Sequence, residues 1–157
     1  MNLAAKSLPR AGSRSSSKQR LRLWIRLLRA TRAIEAELRE RLRVQFSMTL
    51  PQFDVMAALA REEDGMTMTN LSRALMVSNG NVTGIIDRLA AENYVVRQAP
   101  AEDRRSFIVR LTAKGAARFD TVAAGHEEWV NKLLSDFGAE QMESLISHFD
   151  GLAERIR

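Results

Sequence analysis

From about Lys18 the chain carries Trp24, Leu27, Thr31, Ile34, Leu38 and Leu42 at three- and four-residue steps. That repeat lines one face of a helix, and it predicts a helix to about Gln45. Before it, Met1 to Ser17 mixes Ser, Gly, Pro and scattered Lys/Arg without apolar periodicity, which reads as a flexible basic arm. Thr49-Leu50-Pro51-Gln52 has the form of a capping box with proline in the first turn, opening a second helix whose inner face is Phe53, Met56 and Leu59. Glu62-Glu63-Asp64-Gly65 ends that helix, the glycine suiting a left-handed residue. A short helix from about Thr67 to Leu75 turns inward Leu71, Ala74 and Leu75. After a tight turn at Met76-Val77, Ser78 is placed as the N-cap of another helix reaching Asn93, with Val82, Ile85, Ile86 and Leu89 as its apolar stripe. Tyr94 to Gln98 and Ser106 to Leu111 read as two strands, the second alternating Phe107, Val109 and Leu111 with Ile108 and Arg110. Thr112 caps a long helix with Phe119, Val122, His126, Val130, Leu133 and Phe137. After Gly138 a last helix shows Met142, Leu145, Ile146, Phe149, Leu152 and Ile156. Two helices cannot hide that much apolar surface without partners.

The pattern describes a mainly α protein with a small β-hairpin wing, and 157 residues suffice for one core. With 45% hydrophobic and 27% charged residues the composition is globular. No apolar run is long enough to span a bilayer and no secretion signal is visible, so a cytoplasmic location without membrane contact is expected. The absence of cysteine excludes disulfides and thiolate metal sites, and His126 and His148 sit among apolar helical positions as structural residues. No metal site, cofactor or catalytic set is expected, since no nucleophile with base, glycine-rich phosphate loop or ligand cluster occurs.

Charge changes the picture more than composition does. Residues 1–48 hold 12 Lys/Arg against 3 Asp/Glu, or +9, whereas residues 49–157 hold 12 against 16, or −4. At about 100° per residue, Lys18, Arg22 and Arg29 nearly superpose on the first helix, flanked by Arg26 and Arg32. Such a stripe is mildly self-repelling, and either solvent or an anion must meet it. Residues 66–112 carry 6 basic and 4 acidic side chains, only +2. Placement, not bulk charge, would have to make this segment bind nucleic acid.

The placement is suggestive. On the helix after Ser78, the side opposite the apolar stripe holds Gly80, Thr83, Gly84 and Asp87, bordered by Asn79, Asn81 and Arg88. Each helical glycine costs roughly 1 kcal/mol relative to alanine, so two on the exposed face point either to a partner that approaches closely or to a relaxed first turn. Asn79 and Asn81 could bond adenine edges and Thr83 could meet a thymine methyl. In the hairpin, Glu102 and Asp103 precede Arg104 and Arg105, and a carboxylate beside a guanidinium can hold its fork in one orientation.

Asp103-Arg104-Arg105 followed by Leu111-Thr112 resembles the wing signature of the MarR family. Thr67 to Leu75, Val77-Ser78, Val82-Thr83 and Asp87-Arg88-Leu89 fall where that family has its helix-turn-helix residues. The resemblance implies a homodimeric winged-helix regulator, usually a repressor released from operator DNA by a small aromatic anion. It further implies residues 1–17 as an arm and 18–157 as one domain, with dimer helices over 18–48 and 112–157 and the winged helix-turn-helix over 49–111. By the same resemblance, two copies would meet half-sites about one DNA turn apart in a palindromic operator. DNA contacts are expected from Thr67, Arg73, Ser78, Asn79, Gly80, Asn81, Thr83, Gly84, Arg88, Asp103, Arg104 and Arg105, with Arg105 in the minor groove. The resemblance places an effector between the reading module and the dimer helices, against Trp24, Leu28, Phe53, Met56, Phe119 and Val122, although such apolar stripes are also ordinary core.

Ser78 to Gly84 and Leu50 to Phe53 are moreover similar to members that govern hydroxycinnamate breakdown and sense the coenzyme A thioesters. On that resemblance Lys18, Arg22, Arg26 and Arg29 would meet the coenzyme's phosphates, and the gene targets would serve aromatic catabolism. Two other readings stand beside these: an enzyme acting on an acyl-CoA, and a winged-helix module for protein or RNA. Activation in place of repression is the alternative to the repressor reading.

Overall fold

The computed structural model describes residues 11–99 and 107–156, apart from the side chains of residues 11–15 and of Asn79. The chain divides into two compact units, Met1–Glu37 and Leu38–Arg157. Helix α1 spans Ala11–Phe46 and takes in residues 11–17, which the sequence pattern assigned to an arm. Within the first unit its Lys18, Arg22, Arg26 and Arg29 are exposed, as is Trp24.

The second unit begins with the end of α1, where Leu38 and Leu42 are buried. Ser47 turns left-handed (φ 50°) and the Met48 amide reaches back to the Leu42 carbonyl at 3.2 Å, closing the helix. α2 (Leu50–Ala60) starts with the expected capping box: the Gln52 amide donates to Thr49 Oγ1 at 3.3 Å and the Thr49 amide to Gln52 Oε1 at 2.9 Å. That reciprocal pair is why a glutamine can be buried here. Gly65 (φ 79°) then turns the chain, and no larger residue fits: a Cβ would lie 2.5 Å from the Val109 carbonyl oxygen.

β1 (Met66–Thr67) was not visible in the sequence pattern. It pairs antiparallel with β3 (Ile108–Leu111), which also pairs with β2 (Val95–Gln98), giving the order β1-β3-β2. The register sets Thr67 opposite Ile108 and Arg97 opposite Val109. α3 (Met68–Leu75) and α4 (Asn79–Ala91) follow β1, and Asn93 (φ 61°) ends α4 with the Tyr94 amide bonded to the Leu89 carbonyl at 2.9 Å.

α5 (Ala113–Leu133) begins on Thr112, whose hydroxyl accepts the Gly115 amide at 2.9 Å. A Cβ on Gly115 would fall 1.9 Å from the Tyr94 carbonyl oxygen, so the helix start is pressed onto the end of the α4 turn. Further along α5, Val122 and Trp129 are buried, and Arg118 donates to the Phe46 carbonyl at 2.5 Å. The core of this unit is Leu42, Val55, Met56, Leu71, Val82, Ile86, Leu89, Val109 and Val122. α6 (Ala139–Ile156) buries no residue. Its Met142, Leu145, Ile146, Phe149, Leu152 and Ile156 are 40 to 75% exposed, a whole apolar face open in the single chain. Among the described residues no helix is long and apolar enough to cross a membrane, and no three side chains form a metal-binding group. The molecule is mostly helical with one small antiparallel sheet, as the pattern predicts.

Candidate nucleic-acid interface

The pair α3 and α4 forms a helix-turn-helix held by short-range bonds. Thr67 caps α3, its hydroxyl oxygen accepting the Asn70 amide at 3.2 Å. Met76 takes the left-handed conformation (φ 54°) that ends α3. Ser72 Oγ donates to the Val77 carbonyl at 2.6 Å and the Val77 amide donates to the Ser72 carbonyl at 3.1 Å, fixing the turn into α4.

α4 buries Val82, Ile86 and Leu89 completely and Ile85 by half. The helical period therefore turns the opposite arc outward, and Gly80, Asn81, Thr83, Gly84, Asp87 and Arg88 are all exposed. A methyl group built on Gly80 or Gly84 meets nothing within 4 Å. Among the described residues no packing accounts for either glycine, in contrast to Gly65 and Gly115. Thr49 and Pro51 at the start of α2 border a shallow groove with Gly80, Asn81, Gly84 and Arg88. Arg73 of α3 is exposed beside Asn70 and Met76.

One expectation holds in position but not in bonding. Ser78 occupies the N-cap position in extended geometry (φ −69°, ψ 149°), yet its side chain makes no capping bond, whereas Thr49, Thr67 and Thr112 all make theirs. Ser78 thus gives the first turn of α4 no side-chain acceptor, and that turn adds the partial positive charge of a helix N-terminus to the polar end of this surface.

The exposed arc also carries a carboxylate. Asp87 Oδ1 accepts from Arg97 Nη2 at 2.5 Å, joining α4 to β2. The sequence reading missed Arg97. Ten residues separate the two along the chain, and only the turn after α4 brings β2 alongside; opposite signs at that distance carry no periodic signal. The wing tip itself, with Asp103, Arg104 and Arg105, lies outside the described residues, as does the side chain of Asn79.

The effector candidates fall into both units. In the first, Lys18, Arg22, Trp24, Arg26 and Arg29 are exposed and Leu28 is half-buried. In the second, Phe53, Met56 and Val122 are buried, and Phe119 is half-buried. Phe53 lies between two partners, the Phe119 ring at 5.7 Å and the His126 ring at 4.5 Å between centroids. Burial beside these rings holds the His126 imidazole below its ordinary range. Trp129, absent from the expected stripe, is buried against Phe46 at 5.7 Å between ring centroids.

Residues 46–106 match the model described as the MarR family. The transcriptional activatory protein BadR of Rhodopseudomonas palustris is 30% identical over 130 residues, covering 81% of this chain and 69% of that protein. The homoprotocatechuate degradative operon repressor of Escherichia coli is 28% identical over 123 residues, 78% of this chain and 82% of the repressor. The match to the Bacillus subtilis repressor YetL, 26% identical over 58% of this chain, spans only 54% of that relative's length. Among solved structures, a MarR family regulator from Silicibacter pomeroyi superposes with a TM-score of 0.76 at 31% identity, covering 90% of this chain and 98% of that one. A mutant Escherichia coli MarR complexed with operator DNA gives 0.73 at 23% identity, covering 85% and 95%. The chain belongs to the MarR family of winged-helix transcriptional regulators.

Proposed function

We propose that this chain is a sequence-specific, homodimeric DNA-binding regulator whose operator is palindromic. The observation that carries the reading is the outward face of α4, where two glycines stand in open space between exposed Asn81, Thr83 and Arg88. A backbone stripped of Cβ atoms at the N-terminal half of such a helix suits deep entry into a major groove, with the adjoining side chains at base edges. The solved complex of a structurally similar MarR with operator DNA supports the same use of the fold. Residues 49–111 would read the duplex, helped by Arg73, Ser78, Asn79 and the wing residues Asp103, Arg104 and Arg105. The helices over 18–48 and 112–157 would pair two copies, the open apolar face of α6 supporting that role.

Repression relieved by an aromatic anion is the mode we favour, because a relative represses a homoprotocatechuate degradative operon. Activation is the second reading, favoured by the similarity to a transcriptional activatory protein. An aryl-CoA thioester is the proposed effector; in the first unit Lys18, Arg22, Arg26 and Arg29 are the candidate phosphate contacts, with Trp24 and Leu28 on the same helix, and in the second unit Phe53, Met56, Phe119 and Val122 are the candidate apolar contacts. The exposed basic residues on α1 support the first half of this assignment, since arginine bonds phosphate bidentately.

Asn81→Ala tests the reading surface: it should lose about 1 to 3 kcal/mol of discrimination at one base position, while Arg22→Ala leaves base choice intact. Equal impairment of base choice in both would overturn the separation of reading from sensing. Calorimetry with an aryl-CoA thioester and its free acid tests the effector, and tighter binding of the free acid would refute the coenzyme contacts.

A further inference from the structure

We propose that Arg97 is a positioning residue of the reading surface, holding Asp87 neutralised and fixed so that α4 can face the phosphates of a duplex. The inference rests on the DNA reading given above. On the helical wheel Asp87 lies among Gly80, Thr83 and Gly84, near the middle of the exposed arc rather than at its edge. A bare carboxylate there would meet the phosphate polyanion with like charge, in the place where the two glycines let the backbone come closest.

Arg97 removes that repulsion from a second element. Two-residue alternation puts its side chain on the same face of β2 as the buried Val95, the face turned to α4. Its Nη2 donates to Asp87 Oδ1 at 2.5 Å. The side chains stay 34% and 57% exposed, so the pair contributes little to folding. What it fixes is the orientation of α4 against the strand that leads to the wing. A guanidinium held by a carboxylate is also withheld from phosphate. Arg97 therefore acts through Asp87 and not by touching DNA.

A double-mutant cycle on operator and non-operator duplexes separates these roles. Arg97→Gln should weaken operator binding about tenfold, with the slope of log K against log salt unchanged. In an Asp87→Asn background, the same substitution should change affinity less than about twofold. Asp87→Asn alone should narrow the operator preference, because α4 is then no longer held against β2, with the salt slope again unchanged. Arg97→Lys should recover most of the loss, since it keeps the charge. Circular dichroism melts of each variant establish that the fold is kept. The proposal is overturned if Arg97→Gln is harmless, or if its loss is equal in both backgrounds. A fall in salt slope of about 0.9 would mean that Arg97 contacts a phosphate itself. A wild-type protein that prefers no duplex would fail earlier, at the DNA reading, and is told apart by that control.

Discussion

Gly84→Ala sets folding against binding, and the two should move in opposite directions. Gly84 is inside α4, with helical residues on both sides and no atom within 4 Å of where a Cβ would stand. In the free protein the new methyl group clashes with nothing. It also removes the conformational entropy that glycine gives the unfolded chain, a gain of about 0.4 to 1 kcal/mol. For a chain of this size that corresponds to a melting temperature higher by roughly 1 to 4 °C. On DNA the same methyl must fit where the backbone is proposed to lie closest. Forcing an extra methyl group into a close-packed contact costs about 1 to 3 kcal/mol, so affinity should fall by about 5- to 150-fold. Thermal denaturation and fluorescence anisotropy with a selected duplex, run on the same preparation, read both quantities. A variant that melts higher and binds as tightly as the wild type would refute close approach as the reason for the glycine. A lower melting temperature would refute the claim that the site is open.

Other outcomes follow from the same geometry. Gly115→Ala should destabilise by about 3 kcal/mol or more, because its Cβ would lie 1.9 Å from the Tyr94 carbonyl oxygen; chemical denaturation reads this, and a near-neutral result would contradict the packing of α5 on that turn. His126 has a folded value below its unfolded 6.5, so the unfolded chain takes up the proton first. Its contribution is intact above pH 6.5 and is lost as the pH falls through the lowered value. Denaturation from roughly pH 8 to roughly pH 5 should therefore show a steeper loss in the wild type than in His126→Gln, and parallel curves would remove His126 as the cause. Leu145→Asp with Phe149→Asp should convert the proposed dimer to a folded monomer by light scattering, since both residues are already exposed in the single chain; an unchanged dimer would place the interface elsewhere.

What the sequence disclosed is what lies within a turn or two of helix. The capping box of Thr49 and Gln52 and the stripe of Val82, Ile86 and Leu89 depend on spacing alone, and the structure has them as expected. The outward glycines of α4 were legible for the same reason. Features made by distant segments were not. β1 exists because Met66 and Thr67 meet Val109 and Ile108, and two residues have no periodicity to show. Gly115 reads as a weak helix residue until the Tyr94 carbonyl is placed against it, and Trp129 finds Phe46 only across the fold. Ser78 shows a different gap. The residue type and backbone are those of a cap, but the side-chain bond is absent, and the Asn81 amide donates instead to the Ser78 carbonyl at 3.1 Å. Thr67, expected at the DNA surface, also caps α3, its hydroxyl oxygen accepting the Asn70 amide.

The central claim is that α4 reads sequence as one of a symmetric pair. Selection of duplexes from a random pool with the purified protein tests it most directly. The expected product is an inverted repeat with half-site centres about 10 base pairs apart, bound more weakly by Gly84→Ala. Enrichment of no sequence, with equal affinity for every duplex, would contradict it.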